Sequence, residues 1–247
     1  MPVDYYYTTI MITTQDFFIT CMYRRVRALS FNICNAGMSV KDLQESIDTI
    51  TDDLKEIEER RERLIKGTRD VIMLCSKSIV ALHNQKYDDA SQQTNKAKEL
   101  LDELRETAQE DLYRYIISAE TELVEAYALQ AIVSGSNISS LKSLNVRGSS
   151  YILGLLDCIG EIKRLVFDKM RSGNSDDAKI LFTLMEQIYV LLFPFAAYDN
   201  IVQGVRRKLD VARMLIEDTR AAITEDARRL TMLDAIDRLY NRLSKGV

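Results

Sequence analysis

Four carboxylates interrupt two apolar stretches at helical spacing. Glu122 and Glu125 stand three apart in ELVEAYALQAIV, and Asp157 and Glu161 stand four apart in YILGLLDCIGEIKRLVF. Residues three or four apart share one face of an α-helix, so each pair presents its carboxylates side by side. Leu129 and Ile132 continue the edge that carries Glu122 and Glu125, which predicts partial burial of both acids. Buried like charges raise each other's pKa unless a cation intervenes. In the second stretch Gly154, Asp157, Glu161 and Arg164 form one stripe, and Gly154 and Gly160 have no side chain to hold off another helix or a ligand. If the two stripes face each other, four hard oxygen donors converge, a set that suits Mg²⁺ or Mn²⁺. Solvated faces and ion-pair networks show the same spacings, and Glu161 can instead pair with Arg164 or Lys163.

Other residues narrow the chemistry by their scarcity. His83 is the single histidine, which excludes a three-histidine zinc site, a His/His metalloprotease helix and paired Glu-x-x-His di-iron motifs. Cys21, Cys34, Cys75 and Cys158 are too far apart for a C-x-x-C motif. No secretory segment is recognisable, so reduced thiols in the cytoplasm are expected. The longest apolar stretch, Ile188 to Tyr198, is about half a membrane span and contains Pro194. No membrane association is expected. The net charge of −4 gives the whole molecule no general attraction for polyanions, so a nucleic-acid partner needs a local basic patch.

The elements that position these residues are helices. Average usage would give a chain of 247 residues about twelve prolines, yet only Pro2 and Pro194 occur. Apolar residues at 43, 47, 50, 54, 57, 64, 72, 75, 79 and 82 mark one long amphipathic helix, opened by an S-x-x-D signal at Ser39 and Asp42. Further helical stretches run at 88–106, 109–133, 148–170, 175–193, 200–223 and 225–243, about seven in all. The connections are short, and only 134–143 has turn composition. An all-α, single-domain bundle or superhelix over 38–247 is expected. Residues 1–37, with Tyr5 to Tyr7 and the Arg24, Arg25, Arg27 cluster, lack a helical period and read as a disordered or loosely docked arm, or as residues ahead of a natural start at Met38.

Several of these stretches resemble the translin family, in particular its nuclease-type branch, translin-associated factor X (Trax). The similar segments are ERLIKGTRDVIMLCSKSIVALH at 62–83, ELVEA at 122–126, YILGLLDCIGEIKR at 151–164 and VRRKLD at 205–210. They occur in the family's order within Met38 to Arg220. The resemblance implies a translin-like helical fold, binding of single-stranded or structured RNA or single-stranded DNA, and homo-oligomeric shells, usually octameric. For the Trax branch it also implies Mg²⁺-dependent RNA cleavage. The family's catalytic and metal-binding acids fall on Glu122, Glu125, Asp157 and Glu161, the positions already distinguished by spacing.

On this reading Glu122, Glu125 and Asp157 ligate one or two Mg²⁺ ions, and Glu161 is a further ligand or the base that orients water. Arg69 and Lys77 on the first helix, with Arg206, Arg207 and Lys208 on the sixth, are the candidate phosphate contacts. Arg164 contacts phosphate or holds Glu161, and His83 is read as capping the first helix. Tyr113, Tyr115 and Tyr127 are expected to pack rather than stack on bases. Two alternatives stand beside the nuclease: a non-catalytic translin-like protein that binds RNA or single-stranded DNA, and an all-α nucleoside triphosphate pyrophosphohydrolase. The latter also pairs E-x-x-E with a second acidic helix, but here that element is D-x-x-x-E rather than E-x-x-D.

Overall fold

The computed structural model describes residues 40–244, the side chain at 243 excepted. The expectations for residues 1–37 and for the cap at Ser39 lie outside the described residues. Among the described residues there are seven α-helices and no strand. In chain order they are α1 (Lys41–His83), α2 (Tyr87–Ala108), α3 (Ile117–Ser134), α4 (Leu141–Leu144), α5 (Gly148–Arg171), α6 (Ser175–Leu192) and α7 (Val205–Ser244), with 3-10 turns at Tyr113–Tyr115 and Phe193–Tyr198.

The chain falls into two units, Met1–Glu59 and Arg60–Val247. In the first, Leu43, Ile47, Ile50 and Leu54 of α1 are exposed. The second is a helical bundle with α5 at its centre, packed on α3, α6 and α7, while α2 packs on α3. Leu64, Leu101, Leu123, Leu129, Ile159, Ile162 and Met185 are fully buried in it. Burial of such side chains contributes about 1.5–3 kcal/mol each and sets the faces of the helices. Ser78 and Thr94 share a buried hydroxyl–hydroxyl bond of 2.6 Å between α1 and α2.

Three expectations need correction. The stretch 109–133 is not one helix: α2 ends where Gln109 takes φ 47°, and a 3-10 turn precedes α3. Long-range contacts hold this break, because Arg60 pairs with Asp111 at 2.6 Å and Thr68 Oγ1 donates to the Tyr115 carbonyl at 2.9 Å. Conversely, 200–223 and 225–243 belong to one helix, α7, which starts after Gly204 at φ 82° and meets no breaker at Thr224. Finally, the apolar stretch is longer than the half-span expected at Ile188 to Tyr198. Together α6 and the following 3-10 turn run for 24 residues, Ser175–Tyr198, long and apolar enough by length and composition to cross a membrane. In the protein α6 lies against α5 and α7.

Candidate active site

Close approach of α3 to α5 depends on Gly154. A Cβ at this position would lie 2.5 Å from the Thr121 carbonyl oxygen and 2.7 Å from Val124 Cβ, so only glycine lets the two backbones meet. At Gly160 the same construction meets only Leu215, at 3.9 Å, which any small residue would tolerate. The crossing at Gly154 brings the Glu122 and Glu125 face of α3 toward the Asp157 and Glu161 face of α5.

The four acids form one electrostatic cluster. Glu125 is 9% exposed, and its pKa is pushed up to about 8, first by burial and then by the charges of Glu122, Asp157 and Glu161, with Lys208 opposing. Half-buried Glu122 is raised by burial and by Asp157, again against Lys208. The positive charge required by the glutamate pair therefore comes from α7, where the Lys208 ammonium contacts both carboxylate oxygens of Asp157. Lys208 was expected to contact phosphate; here it is a counter-ion within the acidic cluster.

Glu161 is held differently. His83 Nε2 lies 2.5 Å from Glu161 Oε2, and this hydrogen bond is the main reason the Glu161 carboxyl titrates below its usual range. Arg164, expected to hold Glu161, is 3.9 Å away and mostly exposed. The reading of His83 as a helix cap is thus corrected: the ring, 2% exposed, is an inward-facing partner of Glu161. Cys75 and Cys158 are buried near the same acids. The Cys75 thiol is pushed up to about 12 by burial and then by Glu122 and Glu125, and Cys158 is raised well above its ordinary value. Thiols so placed are apolar walls rather than nucleophiles.

One acid on α3 escaped the sequence reading. Glu120 is fully buried and accepts from Tyr113 OH at 2.5 Å, Ser150 Oγ at 2.7 Å, Arg105 Nε at 3.2 Å and the Arg147 backbone N–H at 3.3 Å. It ties α2, the 3-10 turn and the start of α5 to the first turn of α3. Its signal in the sequence was a carboxylate in the row of Val124 and Tyr127, a position where the helix otherwise buries apolar groups. Tyr113 serves this network, with the Arg147 guanidinium over its ring.

The remaining basic candidates are distributed over the surface. Arg69 and Lys77 on α1 and Arg206 and Arg207 on α7 are exposed. Arg207 lines a cavity of about 370 Å³ together with Asp157, Gly160 and Lys208, which places it beside the acids. Tyr127 packs as expected and donates to Asn95 Oδ1 at 3.2 Å, while Tyr115 lies under Arg61 and Arg114.

The donor set fits a hard divalent cation in type and charge: four carboxylates in a half-dry crevice, opposed there by one ammonium. As the side chains stand, no three Asp, Glu, His or Cys groups among the described residues close on one point, and Asp157 and Glu161 are engaged by Lys208 and His83.

Comparison with known proteins supplies a family. The profile of the Translin family matches residues 59–218. The uncharacterized protein MJ0175 of Methanocaldococcus jannaschii is 30% identical over 190 residues, 75% of this chain and 84% of that protein. Among solved structures, AfC3PO in complex with duplex RNA superposes with a TM-score of 0.68 at 30% identity, covering 74% of this chain and 97% of that one. AfC3PO alone gives 0.69 at 31% identity, with 74% and 98% covered. Apo-NeC3PO, 22% identical, shares the fold, with a TM-score of 0.66 over 73% of this chain and 96% of that one.

Proposed function

Because the chain belongs to the translin family, we propose that it is a Mg²⁺-dependent endoribonuclease of the Trax type, binding RNA and hydrolysing its phosphodiesters. The observation that carries this reading is the burial of Glu125 among Glu122, Asp157 and Glu161 with one ammonium to oppose them. Excess negative charge in a poorly solvated crevice costs the fold stability, and a divalent cation relieves it. Glu122, Glu125 and Asp157 would hold Mg²⁺ or Mn²⁺, with Glu161 as a further ligand or as the group that orients and deprotonates water. Bound there, the ion supplies a water of lowered pKa and neutralises charge developing on the phosphodiester oxygens.

The chain's own residues set the stage for that chemistry. His83 keeps Glu161 ionised and pointed into the cluster. Lys208 holds Asp157, and Arg207 stands at the mouth beside it as a phosphate contact. Arg206, Arg69 and Lys77 extend the positive surface, contributing affinity with little sequence preference. The AfC3PO–duplex RNA complex supports RNA as the partner, ahead of single-stranded DNA. Ile180, Val190, Leu191, Phe193 and Ile201 are exposed apolar side chains on and after α6, which supports assembly of several copies into a homo-oligomeric shell, with an octamer as the expected form.

Labelled RNA incubated with the purified chain should be cut in Mg²⁺ and left intact in EDTA. The Glu125→Gln variant should lose cleavage by about 10³-fold and keep RNA binding. Full cleavage by that variant, or cleavage in EDTA, would overturn the nuclease reading; binding without cleavage in Mg²⁺ would favour a non-catalytic RNA-binding protein.

A further inference from the structure

Lys208 stands between two neighbourhoods that would use its charge in different ways. On one side its ammonium contacts both carboxylate oxygens of Asp157. Burial first and neighbouring carboxylates next raise the pKa of Glu122 and Glu125, and the Lys208 charge opposes both effects. On the other side Lys208 lines, with Arg207, Asp157 and Gly160, the cavity of about 370 Å³. The ion pair joins α7 to α5 without being sealed: the Lys208 and Asp157 side chains are 33% and 30% exposed, so a ligand can reach either.

This placement makes Lys208 a rival of any cation at the cluster. A divalent ion ligated by Asp157 must share or displace an ammonium already seated on both its oxygens, and positive charges so close repel strongly where water is scarce. Displacement is open to a lysine, whose flexible four-carbon stem lets the ammonium swing while the backbone of α7 stays in place. The space for that swing is the cavity, where a Cβ at Gly160 would meet only Leu215, at 3.9 Å. Asp157 is the one acid in the cavity lining, Arg207 and Lys208 are its cations, and Leu156, Val211 and Leu215 are apolar. Once Asp157 is engaged by a metal, two cations remain there with no opposing charge, a combination that suits a phosphodiester.

We propose that Lys208 alternates between two anions: it pairs with Asp157 when the cluster holds no divalent ion, and swings to an RNA phosphate beside Arg207 when such an ion takes Asp157. The alternation rests on the nuclease reading of the acids and adds regulation to it. Metal and RNA then favour each other through one side chain, by equal factors in both directions. The basic run Arg206, Arg207, Lys208 in the sequence and the acidic partner of Lys208 in the fold each correspond to one of its two positions.

Mn²⁺ is a suitable probe, because the electron paramagnetic resonance signal of the free ion reports binding to the full chain without any cleavage step. Lys208→Met, which keeps the length and removes the charge, should bind Mn²⁺ at least about tenfold more tightly than the wild type in the absence of RNA. Lys208→Gln should repeat that gain, and far-ultraviolet circular dichroism checks that both keep the helical fold. The phosphate side is read in EDTA from binding of a labelled single-stranded RNA. There Lys208→Met should leave affinity unchanged while Asp157 holds the ammonium, and should lower it about threefold to tenfold in the Asp157→Asn background, where the ammonium is free. Mn²⁺ binding by the wild type with no gain in either Lys208 variant overturns the alternation and leaves the nuclease reading standing. Mn²⁺ binding by none of the three overturns both. An equal loss of RNA affinity from Lys208→Met in the two backgrounds also overturns the alternation, since Lys208 would then contact phosphate whether or not Asp157 is charged.

Discussion

Glu120 and Glu125 are buried on the same helix, one turn and a half apart, and live in opposite environments. Glu120 accepts four hydrogen bonds and ties three segments to α3. Glu125 faces three other carboxylates, and burial first, then their charges, push its pKa up to about 8. A buried acid whose lone pairs are all used is structural; a buried acid crowded by like charges costs the fold stability, and on the proposed function a cation would relieve that cost.

Removing the two charges should have opposite outcomes. Glu120→Ala should destabilise the chain most, by about 3–5 kcal/mol, because Arg105 and the Ser150 and Tyr113 hydroxyls lose their shared acceptor inside the bundle. Chemical denaturation measures this, and a loss below about 1 kcal/mol would mean that Glu120 does not hold the three segments together.

Glu125→Gln should do the reverse. With a folded-state pKa of about 8 against 4.5 for an ordinary glutamate, the folded chain keeps a proton that the unfolded chain has released between those values. Stability therefore falls as pH rises through that window, and above pH 8 the substitution should recover on the order of 4–5 kcal/mol. Melting curves at pH 4 and pH 8.5 should show no gain at the first and a clear gain at the second. A gain equal at both would mean that charge is not its cause.

Two smaller effects sharpen the picture. Gly154→Ala should cost about 1–3 kcal/mol by forcing α3 away from α5, and should weaken metal binding along with stability. Tyr113→Phe should cost about 1 kcal/mol, the worth of one hydrogen bond to Glu120, with no change in cleavage. If Tyr113→Phe lost activity as strongly as Glu125→Gln, the two regions would not be separable.

Much of this was legible in residues alone. Scarcity of proline and the repeating apolar stripes pointed to an all-α bundle, and helical spacing in two apolar segments picked out the acids. The structure brings them into one electrostatic cluster because Gly154 permits the crossing. Less legible were features made by packing between distant segments. Nothing local marks the break between Gln109 and Ile116, a stretch without glycine or proline that is held by Arg60, Thr68 and Glu120. In the sequence Lys208 sits in a basic run with Arg206 and Arg207, and only the docking of α7 on α5 turns it toward Asp157. His83 is 78 positions from Glu161, so its role follows from the tertiary fold and not from any spacing along a helix.

On the proposed function, the acids between α3 and α5, opposed by one ammonium, await a divalent ion. The decisive experiment is melting of the wild-type chain and of Glu125→Gln at pH 7.5, each in EDTA and in millimolar Mg²⁺. Mg²⁺ should raise the melting temperature of the wild type by several degrees and leave the variant unmoved. Equal shifts in both, or none in the wild type, would contradict it.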